Sequence, residues 1–573
     1  LLIYKNLELN LNYNMRFLKK SFLLLFIISI LFRLNSQEYN LNSPIDLPLN
    51  LSGTFGEFRS SHFHYGLDIT TNKKSGYEVY SIESGSIIRI RVSTSGYGKA
   101  IYVDHLNGLT SVYAHLKEFS PKIQEYIKEQ QYLNKSYNIQ KFFNVGDLVI
   151  DKGELIGYSG NTGGSSGPHL HFEIRDTKSQ NPLNPLSFEY KYEDTRRPII
   201  RSLYVFDETD SFKKDNPKQY PIEKINDSMY KSKKVIYNND IGIGVEVYDR
   251  QSGNNYNRNG IYEIRMYLDS ILNFSYKMDN INISESIFRK VFYDYSLLKT
   301  RGIRVQKIYY PPNSKLSFLN HNTKTGIFDS NDSIKKDVQI EVIDWNNNKS
   351  YLKFQIEGSP SNIKENPISG IEIVPNQEYK IKRDNVEVDF RRNSFFNKVA
   401  LNIEFNNDTL KVGKDIHPLR KSYNIKINKK IEDSIVRRQS YIGLINKNGK
   451  ISYLNTSKNK NSFSVNSSIL GSYILSRDSI KPEVKPLNFS LNKDISKQGT
   501  IRLRIFDNIS GIKSYEVLIN NKWALFEYEP KSNLIFHTIK DGIIKNGENS
   551  IDIKVKDGVG NETKMNSKVY WSN

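Results

Sequence analysis

Cysteine is absent from all 573 residues of this chain. That gap excludes disulfides, thiolate metal sites, a cysteine nucleophile and a lipid-modified cysteine at a processed terminus. Any transition-metal site must therefore use nitrogen and oxygen ligands. Acidic residues are in deficit, 62 against 82 Lys and Arg, which leaves a net charge of +20. A basic surface favours anionic partners: nucleic acid, membrane or acidic cell-wall polymers. The same excess also follows from a Lys-, Asn- and Ile-rich genomic composition, since no compact basic run stands out. Long apolar runs are missing too. With 38% hydrophobic and 12% aromatic residues the chain has enough to pack cores, so wholesale disorder is excluded. Its length corresponds to about three to five domains.

The longest apolar run, residues 22–32, is too short to span a bilayer and follows a basic segment opened by Met15 and Arg16. It matches the hydrophobic region of a secretory signal, with cleavage near Ser36–Gln37, so the mature chain is expected to be periplasmic or extracellular and to carry no transmembrane span. An uncleaved anchor is the alternative. Residues before Met15 read as an upstream extension, and 1–36 is set apart as extension plus signal.

What is present is β-patterned, and the fold class is expected to be mainly β. Residues 37–190 alternate short β-like runs with Gly, Asn and Ser turns. Asn107-Gly108 signals a type I′ hairpin that pairs Val103 with Val112 and Tyr102 with Tyr113. In that register His105 shares a face with Val103 and Val112, while His115 lies on the other. Ser120-Pro121 reads as a helix start, with Ile123, Tyr126 and Ile127 at helical spacing. A helical insertion is expected over 121–142, followed by strands over 145–150 and 155–158. Beyond residue 190 the pattern becomes that of β-sandwich, immunoglobulin-like modules, expected at 194–358 and 478–573 around a β-rich region at 362–475. The outer two repeat one another. Asp194 and Asp478 each open a D-x-x-x-P, Asp249 and Asp507 each end a strand, and Asp344 and Asp557 each end a second one. Such turns bind calcium or are held by Asx-turn hydrogen bonds, the commoner case.

Two stretches carry chemistry. In residues 159–175 a Gly- and Ser-rich loop runs into a strand where His169, His171 and Glu173 alternate with Leu170, Phe172 and Ile174. Period-two geometry puts both imidazoles on one face, where each needs a hydrogen-bond or metal partner. In residues 55–68, His64 and Asp68 form H-x-G-x-D, a pair able to chelate one ion if the intervening glycine lets the backbone bend. His62 competes for that role. Six of the nine histidines fall in the first 171 residues, which is more than scatter.

H-x-G-x-D, then Y-A-H-L at 113–116, then G-P-H-L-H-F-E at 167–173, in that order, resemble the LytM/lysostaphin-type zinc metallopeptidases, bacterial peptidoglycan endopeptidases. The resemblance covers residues 50–186. It implies that His64, Asp68 and His171 bind one Zn²⁺ and that His115 and His169 are catalytic; the family's His-to-Asp spacing favours His64 over His62. Two imidazoles and a carboxylate would leave a tetrahedral zinc one open position, the mark of a catalytic site. A water activated there would attack a peptide cross-link, with the two further histidines moving its proton. Glu173 is a candidate partner of a ligand, or else a solvent-exposed carboxylate. Arg59 and Asn161 are candidates for the substrate cleft, with plain surface charge as the alternative for Arg59. The expected function is that of an exported zinc metalloendopeptidase acting on peptidoglycan peptide stems. Possible envelope partners would bind through the β modules, and export argues against nucleic acid. The alternatives are a non-catalytic envelope protein that activates another hydrolase, or a β-modular surface-binding protein.

Overall fold

Period-two alternation dominates the chain, and the fold is mainly β. The computed structural model describes residues 39–208, 217–253, 257–311, 313–320, 325–331, 334–359, 370–406 and 408–572. The expected signal segment lies outside the described residues. Among them, no helix is long and apolar enough to cross a membrane.

The sheet that carries both informative stretches is built from β1 (Leu51–Gly53), β2 (Leu67–Thr70), β3 (Gly85–Val92), β4 (Lys99–Asp104) and β5 (Leu109–Leu116), then β6 (Ile139–Phe142) and β7 (His169–Asp176). Their order is β1–β2–β7–β5–β4–β3–β6, and Pro182–Leu183 and Val149–Ile150 add to β7 and β3. β7 is thus flanked by β2 and β5. Leu170, Phe172 and Ile174 are buried on one face of it, each worth about 1.5–3 kcal/mol of apolar burial. His169, His171 and Glu173 leave by the other face, which is also covered, so all but the two end residues of β7 are buried.

The β4–β5 hairpin departs from its expected register by one residue. Tyr102 pairs with Val112 and Val103 with Ser111. The cause is the turn. Asp104 Oδ1 accepts from Leu106 N–H at 3.0 Å and Asn107 Oδ1 from Leu109 N–H at 3.1 Å. Together with left-handed Leu106 and Gly108, these bonds make a three-residue loop rather than the two-residue turn. Further along, Ile101 faces Tyr113 but Lys99 faces Leu116, so Ala114 and His115 both stand opposite Ala100. This is a β-bulge, and His115 in it has φ +59°. His105 lies on the face of Val103, Ser111 and Tyr113, where its Nε2 meets Ser111 Oγ at 2.7 Å.

The helical insertion is shorter than expected. Helix α1 (Pro121–Asn134) starts with Pro121 in its first turn after Ser120, whose side chain makes no capping bond, and it ends at left-handed Lys135. Ile123, Ile127 and Gln131 form its buried stripe. Residues 139–142 are not helical; they form the edge strand β6, because Ile139 and Lys141 alternate inward against β3. The strand expected over 145–150 shrinks to Val149–Ile150, and Leu155–Tyr158 is a strand as expected.

Beyond Ile199 each remaining sheet is drawn from one of three segments. Five- and seven-stranded sheets come from 199–358, a two-stranded and two five-stranded sheets from 371–477, and four- and five-stranded sheets from 483–571. In the last two segments residues of facing sheets share one core, for example Val388 with Ile442 and Leu503 with Ile553. A few short strands run parallel: Met229–Ser232 and Val235–Tyr237 beside Lys349–Gly358, and Lys493–Asp494 beside Glu562–Trp571. From Ser43 on, the chain is one compact unit. Gln251 clamps the approach to β1, accepting from Leu51 N–H at 2.8 Å and donating to Leu49 O at 2.7 Å. Arg289 donates to the carbonyls of Arg59 and Ser60. On the opposite flank Lys99 pairs with Glu527 at 2.8 Å, and Tyr132 of α1 packs edge-on against Trp523.

Candidate active site

Three side chains from two stretches about a hundred residues apart, His64 with Asp68 and His171, meet on the covered face of β7. Asp68 stands directly across from His171 in the β2–β7 ladder, so both leave the sheet on the same side. His64 Nε2 lies 2.9 Å from Asp68 Oδ1 and 3.1 Å from His171 Nδ1, and His171 Nδ1 lies 2.9 Å from Asp68 Oδ1. Gly66 permits this by close approach rather than by bending. A Cβ there would stand 2.1 Å from Phe172 O of β7, and its φ is not in the left-handed range.

His115 and His169 border the group. Their rings are 4.9 Å apart, and His115 is 5.8 Å from the His171 ring. Strict alternation would send His115 to the face of Ser111 and Tyr113; its left-handed backbone turns it into the site instead. The expectation placed His115 apart from His105, and so it is, but the bulge does this and not the pleat. His169 Nε2 reaches Asp68 Oδ1 at 3.3 Å.

Every imidazole here is locked by its outer nitrogen. His64 Nδ1 donates to Thr54 O at 2.8 Å, His115 Nδ1 to Thr162 O at 2.8 Å and His169 Nδ1 to Gly167 O at 2.8 Å. A carbonyl only accepts, so each of those nitrogens carries the proton. His171 Nε2 is held at 2.8 Å by Glu173 Oε1. The inner nitrogens of His64, His171 and His169 therefore all converge on the Asp68 carboxylate. A positive charge has to sit among them, either a proton on an imidazole or a metal ion. Two nitrogens and one carboxylate oxygen fit zinc, whose tetrahedral ligands stand about 3.3 Å apart.

The electrostatics show the same demand for positive charge, met by protons. Burial would depress His171, but hydrogen bonds to Asp68 and Glu173 outweigh it and raise the pKa to about 9. Burial would raise Asp68, yet the charge of His64 and hydrogen bonds from three histidines hold it well below the usual carboxylate range. Burial lowers His115 to about 3, with His171 and His169 adding to the effect, so it stays neutral at physiological pH.

Glu173 is fully buried, not exposed. Arg175 Nη2 pairs with its other oxygen at 2.6 Å, and Tyr97 hydrogen-bonds the oxygen that holds His171. Against the burial penalty, Arg175 and His171 bring Glu173 down to about 2. Arg59 is half-buried and pairs with Asp68 Oδ2 at 2.9 Å and Glu57 at 3.1 Å, which ties it to the carboxylate. Asn161 does not reach the cluster; its side-chain oxygen accepts from Lys531 Nζ at 3.0 Å. His62 is likewise apart, its ring tilted against that of Tyr65 with centroids 4.7 Å apart, and burial lowers its pKa to about 4. Sequence reading missed Tyr97, whose ring stacks on His171 at 5.2 Å, and Arg175, which one more step of the 169–171–173 alternation would have found.

Peptidase family M23 matches residues 62–142 and 137–185. The chain is 34% identical over 124 residues to the DD-carboxypeptidase/endopeptidase Mpg of Neisseria meningitidis serogroup B, covering 22% of each chain. It is 29% identical over 128 residues to lysostaphin of Staphylococcus staphylolyticus, again covering 22% of each. The match thus spans about a fifth of the length of these relatives. Among solved structures, the catalytic domain of lysostaphin from Staphylococcus simulans aligns at 25% identity, covering 26% of this chain and 91% of that one, with a TM-score of 0.18. The N-terminal region of this chain is a peptidase family M23 domain of the LytM/lysostaphin type, and β-rich modules follow it.

Proposed function

We propose that the chain is an exported zinc metalloendopeptidase that hydrolyses peptide cross-links of peptidoglycan. In this reading His64, Asp68 and His171 hold the metal and His115 and His169 are catalytic. The supporting observation is the convergence of the His64 and His171 inner nitrogens on one buried oxygen of Asp68, within about 3 Å of one another. A bound zinc supplies Lewis acidity towards a water and towards the scissile carbonyl. The rest belongs to side chains. His115 and His169 keep Nδ1–H on a backbone carbonyl, which leaves Nε2 as the proton acceptor; on taking a proton it becomes a donor to the leaving amine. Glu173 fixes the ring of His171, and Arg59 fixes the free oxygen of Asp68. Segments 194–358, 362–475 and 478–573 are taken as separate modules that bring the domain to its substrate.

The test is zinc content measured together with digestion of purified sacculi. Wild type should carry one zinc and release cross-link fragments, and His115→Ala should keep the zinc and release none. Intact sacculi with zinc-loaded wild type would sink this reading and leave the non-catalytic envelope protein.

A further inference from the structure

The two repeated modules carry a second kind of buried polar cluster, built from aspartates alone. In the first, Asp194, Asp249 and Asp344 bring carboxylate oxygens within 4.8 Å of one another; in the second, Asp478, Asp507 and Asp557 do the same. These are the aspartates that repeat in the sequence, and their supports repeat as well. Ser252 donates to Asp194 at 2.9 Å as Ser510 does to Asp478 at 2.6 Å. Asn348 donates to Asp344 at 2.8 Å and to Asp194 O at 3.0 Å, as Asn561 does to Asp557 at 2.7 Å and to Asp478 O at 2.9 Å.

Hydrogen bonds of this kind explain Asx turns, but they leave some oxygens over. Asp194 Oδ2, Asp249 Oδ1 and Asp507 Oδ2 are buried with no partner, and Asp194 and Asp249 are only 5% and 2% exposed. Among the described residues no Lys, Arg or His forms an ion pair with any of the six aspartates. Leaving a buried carboxylate uncompensated costs several kcal/mol per ion. A cavity of about 20 Å³ lies against Asp249 and Asp344, with Trp345 and Tyr192 in its wall. It has room for one water or one ion.

We infer that each repeated module binds one hard divalent cation, calcium by preference, through its aspartate triad. All the donors are oxygens, which selects against zinc. Calcium–oxygen bonds of about 2.3–2.6 Å let two ligands of one ion stand up to about 4.6–5.2 Å apart, and the oxygens of each triad lie within 4.8 Å of one another. The ion would offset two of the three negative charges and tie the start of each module to two strand ends, stiffening it.

The test uses the full-length chain, stripped of metal and resaturated with zinc, then titrated calorimetrically with calcium chloride. Two calcium ions per chain are expected, with affinity in the range of about 10⁻⁴–10⁻³ M typical of extracellular modules. Asp249→Asn and Asp507→Asn should each remove one, and the double variant both. Terbium in place of calcium should give sensitised emission from Trp345 that Asp249→Asn abolishes. Melting adds a test of sign: with calcium the variants should melt below wild type, and without it at or above wild type, because an amide removes a buried charge. Absence of calcium uptake by wild type up to about 10 mM, well beyond that affinity range, would overturn the inference. So would a stoichiometry that neither variant changes, or variants that melt equally far below wild type with and without calcium.

Discussion

At the scale of single residues, His115 carries the sharpest conflict between local preference and function. A non-glycine residue in the left-handed region costs about 1–2 kcal/mol, and it holds there because the bulge aims the ring at His169 and His171. His115→Gly should therefore be more stable than His115→Ala by about 1 kcal/mol, measured by urea unfolding, although both lose the ring; equal stability would mean the backbone is not strained. Glu173 is the second such residue. Removing its charge leaves Arg175 buried beside a neutral amide and His171 less firmly held. Glu173→Gln should weaken zinc binding about 10- to 100-fold, as loss of a ligand's supporting partner does, in a competition titration against a chromogenic chelator. Unchanged affinity would remove Glu173 from the site's design. The same residue predicts a pH effect. Its folded pKa, about 2, lies below its ordinary 4.5, so its stabilisation is complete above 4.5 and is lost as pH falls towards 2. Acid unfolding of the variant should be flatter than wild type across that window.

At the scale of elements, the site depends on how closely β2 lies on β7. Gly66 sits where a side chain would strike the β7 backbone. Gly66→Ala should push β2 outward, separating Asp68 from His171, and zinc uptake should fall while circular dichroism still reports a β fold. Normal zinc content in that variant would refute the close-approach argument. The Gly-rich loop works by a similar means. A Cβ on Gly163 would stand 2.3 Å from Gly98 N, so the loop packs backbone to backbone on the turn before β4, and in that position Thr162 O meets His115.

Across the whole molecule, the β modules do more than trail behind the peptidase domain. Arg289 holds the segment before His64 on one side, and Glu527, Trp523 and Asp541 engage Lys99 and α1 on the other. A chain ending at residue 477 should show faster amide hydrogen exchange in α1 than the full-length chain, by mass spectrometry. Equal protection would mean these contacts contribute nothing to the stability of the helix.

The amino-acid sequence by itself determined that the chain is mainly β, that it carries an M23-type domain near its start, and which imidazoles and carboxylates gather there. Period-two alternation and short motifs are local properties, readable wherever a strand is regular. It also determined that Asp194, Asp249 and Asp344 correspond to Asp478, Asp507 and Asp557. Only the tertiary structure decided that each trio converges, because meeting in space depends on strand pairings many residues apart. It likewise decided the hairpin register, through two side-chain bonds in a three-residue turn, and the direction of His115, through a bulge that breaks the alternation from which sequence reasoning works. Burial of Glu173 was beyond the sequence for the same reason: what covers a face comes from elsewhere in the chain, here Tyr97.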